Sequence, residues 1–165
     1  ILSDTLILQS ATTTEYDVLT AEYLSNITEL DIKTLGNDII RSGSHIDGRS
    51  AEEVVHQDMK EYSENKFKYS VSQIEVDSTR EIVERKKEFL DCLEQERKSK
   101  GALFSALLVT DITKLSSIMF LASDPKFEAV INFPKRDEHI YYMKDIVSRK
   151  KQLIPLLSEL TAKVN

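Results

Sequence analysis

The run Leu103-Phe-Ser-Ala-Leu-Leu-Val-Thr110 constrains the fold more than any other stretch of this chain. It is almost wholly apolar and β-branched towards its end. It is far shorter than the roughly 20 residues needed to cross a membrane. Such a run reads as a central strand, buried on both faces with other elements packed above and below. A second β-like run, Ser117–Ala122, follows after the short loop Asp111–Ser116, which predicts an antiparallel hairpin.

The flanking segments fit around that hairpin. Phe67–Val76 reads as a strand whose apolar residues change phase between Val71 and Ile74, which predicts a bulge or burial on both faces. Ser50-Ala-Glu-Glu53 is a capping box opening a helix to about Tyr62. Ser78-Thr-Arg-Glu81 is a second one, opening a helix that turns Ile82, Val83, Phe89, Leu90 and Leu93 inward and stops before Gly101. Asp124-Pro125 starts a short helix, His139–Met143 is a weak strand, and Leu153–Val164 is the last helix. Strands and helices mix without regular βαβ repeats. The expected fold is α/β, a mixed sheet flanked by helices.

Upstream, Ile1–Leu8 reads as a strand and Ala11-Thr12-Thr13-Thr14 as a turn, with Thr14 capping a helix over Tyr16–Asn26. Its buried side would be Val18, Leu19, Tyr23 and Leu24. A second helix runs from Asp31 to Arg41-Ser42-Gly43 with Ile32, Leu35, Ile39 and Ile40 at helical spacing. Ser42–Ser50 holds two of the four glycines and three serines and reads as a linker. The chain thus divides into residues 1–41, a linker at 42–50, and a second unit at 51–165.

Composition removes several functions. The net charge of −6 argues against non-specific nucleic-acid binding. No apolar run approaches 18 residues, so no membrane partner is expected. Cys92 is the only cysteine, so an internal disulfide and cysteine-rich zinc sites are excluded, and a cytoplasmic setting is expected. Cys92 itself reads as a partly buried structural thiol. His45, His56 and His139 are scattered and read as surface residues. There is no P-loop, no G-x-S-x-G elbow and no G-x-G-x-x-G. The chain opens Ile1-Leu2-Ser3-Asp4 without an initiator Met, which reads as a cut inside a longer protein.

Ser148-Arg149-Lys150-Lys151-Gln152 is the sharpest chemical feature. Cations at a helix N-terminus oppose the macrodipole. Two readings stand. Peptide N–H groups and cations jointly hold an anion such as phosphate, or the run is a solvated surface whose regular helix begins only at Pro155. Glu84-Arg85-Lys86-Lys87-Glu88 has the same Arg-Lys-Lys core, but its flanking glutamates compensate it, and it reads as a solvated mid-helix face. Asp4 interrupts an apolar stretch, either as a strand-end residue or as a ligand for a hard cation. Asp111 reads as a turn residue. Lys60 lies on a polar helix face and carries no signal alone.

Three segments together resemble one family. Ile1–Thr14 resembles the "ISDTL…KSPTTT" segment of the family II inorganic pyrophosphatases, manganese-dependent members of the DHH phosphoesterase superfamily. Asp58-Met59-Lys60-Glu61 resembles that family's "DAKEF", and Val147–Pro155 its "VSRKKQ…P". Ser50–Val54 and Leu107–Ile112 also fit, in order. The resemblance implies the C-terminal part of such an enzyme: a remnant of the DHH metal-binding domain, a linker, and the DHH-associated second domain. It implies Asp4 as a metal ligand and Lys60, Arg149 and Lys150 as substrate-binding residues. It implies pyrophosphate or polyphosphate as substrate, two Mn²⁺ ions held mostly by an upstream DHH domain, Mg²⁺ able to accompany substrate, and a homodimeric parent. No catalytic residue proper falls in this chain, and the fragment alone is expected to be inactive. Gln9 and Ala11 depart from the family pattern, where lysine and proline are common. Two alternatives stay open: an exopolyphosphatase of the same superfamily, and a non-catalytic phosphate- or nucleotide-binding module.

Overall fold

Strand β3 (Phe104–Asp111) is buried at every one of its positions, and the sheet is built outwards from it. The computed structural model describes every residue except Ala11, His45, Asp47 and Asn165, with only helical backbone described at Arg41, Gly43 and Ser44. The six strands are β1 (Met59–Glu64), β2 (Phe67–Val76), β3, β4 (Ser116–Ser123), β5 (Lys135–Asp137) and β6 (Ile140–Met143). Their order across the sheet is β1-β2-β3-β4-β6-β5. Only β2 and β3 pair in parallel; the other neighbours are antiparallel. The fold is the expected α/β with a mixed sheet, and β3–β4 is the expected hairpin.

Side chains alternate across the pleat and fill two cores. On one face Leu107 and Val109 of β3, with Ile118 and Phe120 of β4, pack beneath helices α3 (Ala51–Gln57), α4 (Arg80–Glu84) and α5 (Lys86–Ser99). On the other, Phe104, Ala106 and Leu108 join Met119 and Leu121 beneath α6 (Pro125–Glu128) and the last helix, α7 (Ile154–Thr161). A stack of rings, Tyr62 on Tyr69 on Phe104 on Phe127, runs through this second core with centroids 5.3, 4.6 and 4.2 Å apart.

Strand β2 explains its own phase change without a bulge, for its register with both neighbours is continuous. Tyr69 and Val71 feed the second core, whereas Ile74 and Val76 feed the first. The complementary positions are polar. Ser72 donates from Oγ to the Val55 carbonyl at 2.6 Å, while Gln73 and Glu75 fall on the second face beyond its apolar part.

Several sequence expectations are corrected. Ile1–Leu8 is a series of turns, not a strand. Leu6, Ile7 and Leu8 all have positive φ, and the backbone closes on itself through Ile7 N–H to the Leu2 carbonyl (2.8 Å) and Ser10 N–H to the Thr5 carbonyl (2.8 Å). Left-handed backbone costs about 1–2 kcal/mol per residue, and the local bonds offset that for a segment with no strand beside it. The first helix, α1, runs Glu15–Thr28 behind the Thr14 cap, but Leu19, Tyr23 and Leu24 are exposed and Ala21 is its buried residue. Helix α2 spans Ile32–Ser44, so the expected linker begins inside a helix. His45 lies outside the described residues. The Ser50–Glu53 capping box is present, but α3 stops at Gln57 and the chain turns straight into β1. The expected 78–98 helix is broken at Arg85, and Thr79, not Ser78, precedes its first turn without a side-chain cap. The strand β5, absent from the sequence reading, pairs on β6.

Candidate functional site

The basic segment forms one π-helical turn, Arg149–Leu153, between the capping Ser148 and α7. Regular helix starts at Ile154, with Pro155 in its first turn. The π turn runs directly into α7, so Arg149, Lys150 and Lys151 lie in the first turn of one continuous helical segment, where cations oppose the macrodipole.

The peptide groups of this segment are already committed. Gln152 Oε1 accepts from Val147 N–H and Ser148 N–H, both at 3.0 Å. Gln73 Oε1 accepts from Arg149 N–H at 3.0 Å. Lys151 N–H reaches Ser148 Oγ, while Gln152 and Leu153 N–H donate to the Ser148 carbonyl. The N–H groups of Val147, Ser148, Arg149, Lys151, Gln152 and Leu153 are thus bonded within the protein.

Arg149 is buried, unlike the exposed run expected. Its Nη1 donates to the carbonyls of Asp58 and Val71, the latter at 3.1 Å, and its Nη2 pairs with the Asp58 carboxylate at 3.1–3.2 Å. Its Nε is buried with no hydrogen-bond partner among the described residues. A buried unmatched donor costs roughly 1–3 kcal/mol. Lys150, next along the turn, is exposed. Lys60 is exposed on the edge strand β1, not on a helix, two residues beyond Asp58. Asp58 thus ties the π turn to the strand carrying Lys60.

Asp58 also lines a cleft of about 320 Å³ with Ser3, Asp4, Arg49, Gln73 and Glu75. Asp4 therefore reaches this cleft from a turn rather than a strand end. Lys60, Arg149 and Lys150 are not in its lining; Asp58 and Gln73, which bond Arg149, connect them to it. Burial raises the Glu75 carboxyl above the usual range, and the carboxylates of Asp4 and Asp58 push it further. Asp58, Gln73 and Glu75 are the residues that sequence reasoning missed at this site. The available signal was the pair of polar residues, Gln73 and Glu75, in an otherwise buried strand.

The sequence profile of the DHHA2 domain matches residues 37–160. This chain belongs to the DHHA2 domain family. The match takes in Lys60, Arg149 and Lys150 and leaves Asp4 outside. A protein of Lactobacillus gasseri named "Probable manganese-dependent inorganic pyrophosphatase" is 35 % identical over 162 residues, covering 96 % of this chain and 52 % of the relative. A Streptococcus thermophilus protein of the same name is 32 % identical over 161 residues with the same two coverages. A crystal structure of a Methanococcus jannaschii protein named "putative family II inorganic pyrophosphatase" superposes with a TM-score of 0.85 at 28 % identity over 96 % of this chain and 52 % of that one. The chain thus spans about half the length of the curated relatives it matches.

The relatives' names bring manganese into question for this DHHA2 chain. Among the described residues no group of three His, Cys, Asp or Glu is arranged to hold a metal ion. Asp4, Asp58 and Glu75 line one cleft without forming such a set. The described residues do not fit a complete manganese site. No described helix is long and apolar enough to cross a membrane.

The second Arg-Lys-Lys run differs. Arg85 sits at the break between α4 and α5, pairs with Glu88 at 3.0 Å and donates to the Arg49 carbonyl at 2.9 Å, while Lys86 pairs with Asp137 of β5. Arg85 is compensated by the flanking Glu88, but Lys86 pairs across to β5, and the run lies at a helix break rather than mid-helix. Asp111 is the expected turn residue, its Oδ1 accepting from Thr113 and Lys114 N–H at 3.1 and 3.0 Å. His56 is on the surface and bonds Glu96 at 3.1 Å; His139 is half-buried. Cys92 is partly buried, and burial raises its thiol.

Proposed function

We propose that this chain is the substrate-binding C-terminal half of an inorganic pyrophosphatase, which hydrolyses pyrophosphate to two phosphates. The observation that carries the reading is the buried, unmatched Nε of Arg149 in a turn that also bears the exposed Lys150 and is tied through Asp58 to the strand bearing the exposed Lys60. The kinship over 96 % of the chain with proteins named as pyrophosphatases supports it.

In this reading Arg149, Lys150 and Lys60 bind the anionic oxygens of the substrate. Arg149 is a fixed donor, its fork held by Asp58 and two carbonyls, while Lys60 and Lys150 are mobile point charges. They orient the phosphates and offset charge as it develops on them. In the full-length protein Asp4 would be one ligand to manganese, the remainder coming from an upstream DHH domain, and the metal would supply an activated water. Residues 1–41 belong with that upstream domain, 42–50 connect, and 51–165 bind substrate. The apolar surface of α1 and α2, with Leu19, Tyr23, Leu24 and Ile27 exposed, suits a face covered by the upstream domain. Mg²⁺ accompanies the substrate. The full-length protein is a cytoplasmic homodimer without a nucleic-acid partner.

Titration of the chain with pyrophosphate, followed by backbone amide chemical shifts, tests the reading. Shifts are expected at Ser148–Lys151 and around Lys60, weakening with added salt. Shifts confined to Arg85–Lys87 would overturn it.

A further inference from the structure

We infer that Gln73 is the positioning residue that sets the geometry of the Arg149–Lys150 anion-binding turn, an inference that rests on the substrate-binding reading above. Gln73 is a polar side chain in the interior half of β2, on the same face as the second core. Its amide spends both ends on one segment. Oε1 accepts from Arg149 N–H at 3.0 Å, and Nε2 donates to the Val147 carbonyl at 3.0 Å. This two-point grip spans the capping residue Ser148 and fixes the residue where the π turn starts.

The polar row continues across the sheet. Gln73 Nε2 also reaches Thr110 Oγ1 of β3 at 3.3 Å. Ser117 Oγ of β4 donates to the Ile146 carbonyl at 2.5 Å and lies within hydrogen-bond distance, 3.0 Å, of Thr110 Oγ1. Three adjacent strands thus present a row of polar side chains, Gln73, Thr110 and Ser117, beneath residues 146–149. Thr110 and Ser117 are fully buried, and Thr110 pairs directly with Ser117 in register. Within this row Gln73 is the member that bonds Arg149.

The consequence is geometric. Arg149 is held at both ends: its side chain by Asp58 and Val71, its backbone by Gln73. With the backbone fixed, the Nε position and the direction in which Lys150 leaves the turn are fixed together. A group placed to bind a developing charge loses much of its effect when displaced by about 1 Å. Removing Gln73 leaves every cation in place but frees the turn that carries two of them.

The test uses this chain and pyrophosphate. Wild type, Gln73→Met, Gln73→Glu and Thr110→Val are compared by calorimetric titration, with thermal melts to show that each is folded. Gln73→Met removes both bonds to the turn and is expected to weaken pyrophosphate binding at least tenfold. Gln73→Glu keeps the acceptor for Arg149 N–H, loses the donor to Val147, and is expected to fall between. Thr110→Val disturbs the same buried row without touching the turn and is expected to bind within about twofold of wild type at a similar loss in Tm. If Gln73→Met does not fold, Gln73→Glu decides against Thr110→Val. Equal affinity of the Gln73 variants and wild type would overturn the inference while leaving the substrate-binding reading intact. So would parallel losses of affinity in the Gln73 variants and Thr110→Val, which mark a merely structural role. A wild-type chain that does not bind pyrophosphate would overturn the substrate-binding reading, and this inference with it.

Discussion

Arg149 and Asp58, 91 residues apart in sequence, are joined by a side-chain ion pair and by a second bond from the same guanidinium to the Asp58 carbonyl. This couples the π turn to the start of β1. Breaking a buried pair leaves a charge without compensation, at about 3–5 kcal/mol. The Asp58 carboxylate is half exposed, so a loss of about 1–3 kcal/mol is expected for Asp58→Ala. Arg149→Ala should destabilise comparably. The double variant should lose much less than the sum, because the two share one interaction. Urea unfolding of the four proteins checks this.

Lys150→Ala should leave stability near wild type, since the side chain is exposed. In the full-length enzyme it should lower kcat on the order of a hundredfold. Lys86→Ala is the matched control: it removes the same charge from a residue paired with Asp137 and should leave kcat unchanged. Steady-state kinetics at saturating Mn²⁺ compare the two. Equal activities would overturn the anion-binding role of Lys150.

Glu75 gives a stability dependence on pH with a definite sign. Burial, then the carboxylates of Asp4 and Asp58, raise its folded-state pKa above the unfolded value of about 4.3. Its favourable contribution is full below that unfolded value and is lost as pH rises through the folded one. Glu75→Gln should therefore raise Tm at pH 7 and make little difference near pH 4. Melts across that range would contradict this if the gain were larger at low pH.

Gly36 is where the first ten residues meet α2. A Cβ there would stand 2.7 and 2.9 Å from Cγ1 and Cγ2 of Ile7, a β-branched side chain without a free end to swing away. Gly36→Ala gains about 1 kcal/mol in helix propensity but overpacks this contact at about 1–3 kcal/mol. The expected net effect is a weakened seat for residues 1–10. Hydrogen exchange should speed up at Ile7 and Ser10, whose N–H groups are bonded within that segment, and stay unchanged in β3.

The 165-residue chain should not hydrolyse pyrophosphate with added Mn²⁺ at enzyme-like rates. The described residues supply no set of three donors for one metal ion, and two-metal chemistry needs more than one such set. A phosphate-release assay on the purified chain checks this.

The sequence by itself determined the centre of the sheet and much of the helical frame. The apolar run at 103–110, the hairpin after it, the Ser50 capping box and the Asp124-Pro125 start are local signals, and each was found where it was read. It also drew attention to Arg149, Lys150, Lys60 and Asp4, through their setting and through family resemblance. What it missed was set by contacts distant in sequence. Ile1–Leu8 has strand-like composition, but a strand needs neighbours to bond, and here the segment satisfies its own backbone in turns. Lys60 sits in a stretch with helical polarity, but pairing with β2 from Met59 onwards draws it into the sheet. The solvated-surface reading of the 149–151 run fails at Arg149, whose burial nothing near it in sequence signals. Asp58 and Gln73, 91 and 76 residues away, are the groups that make its burial tolerable, and only tertiary packing brings them to it.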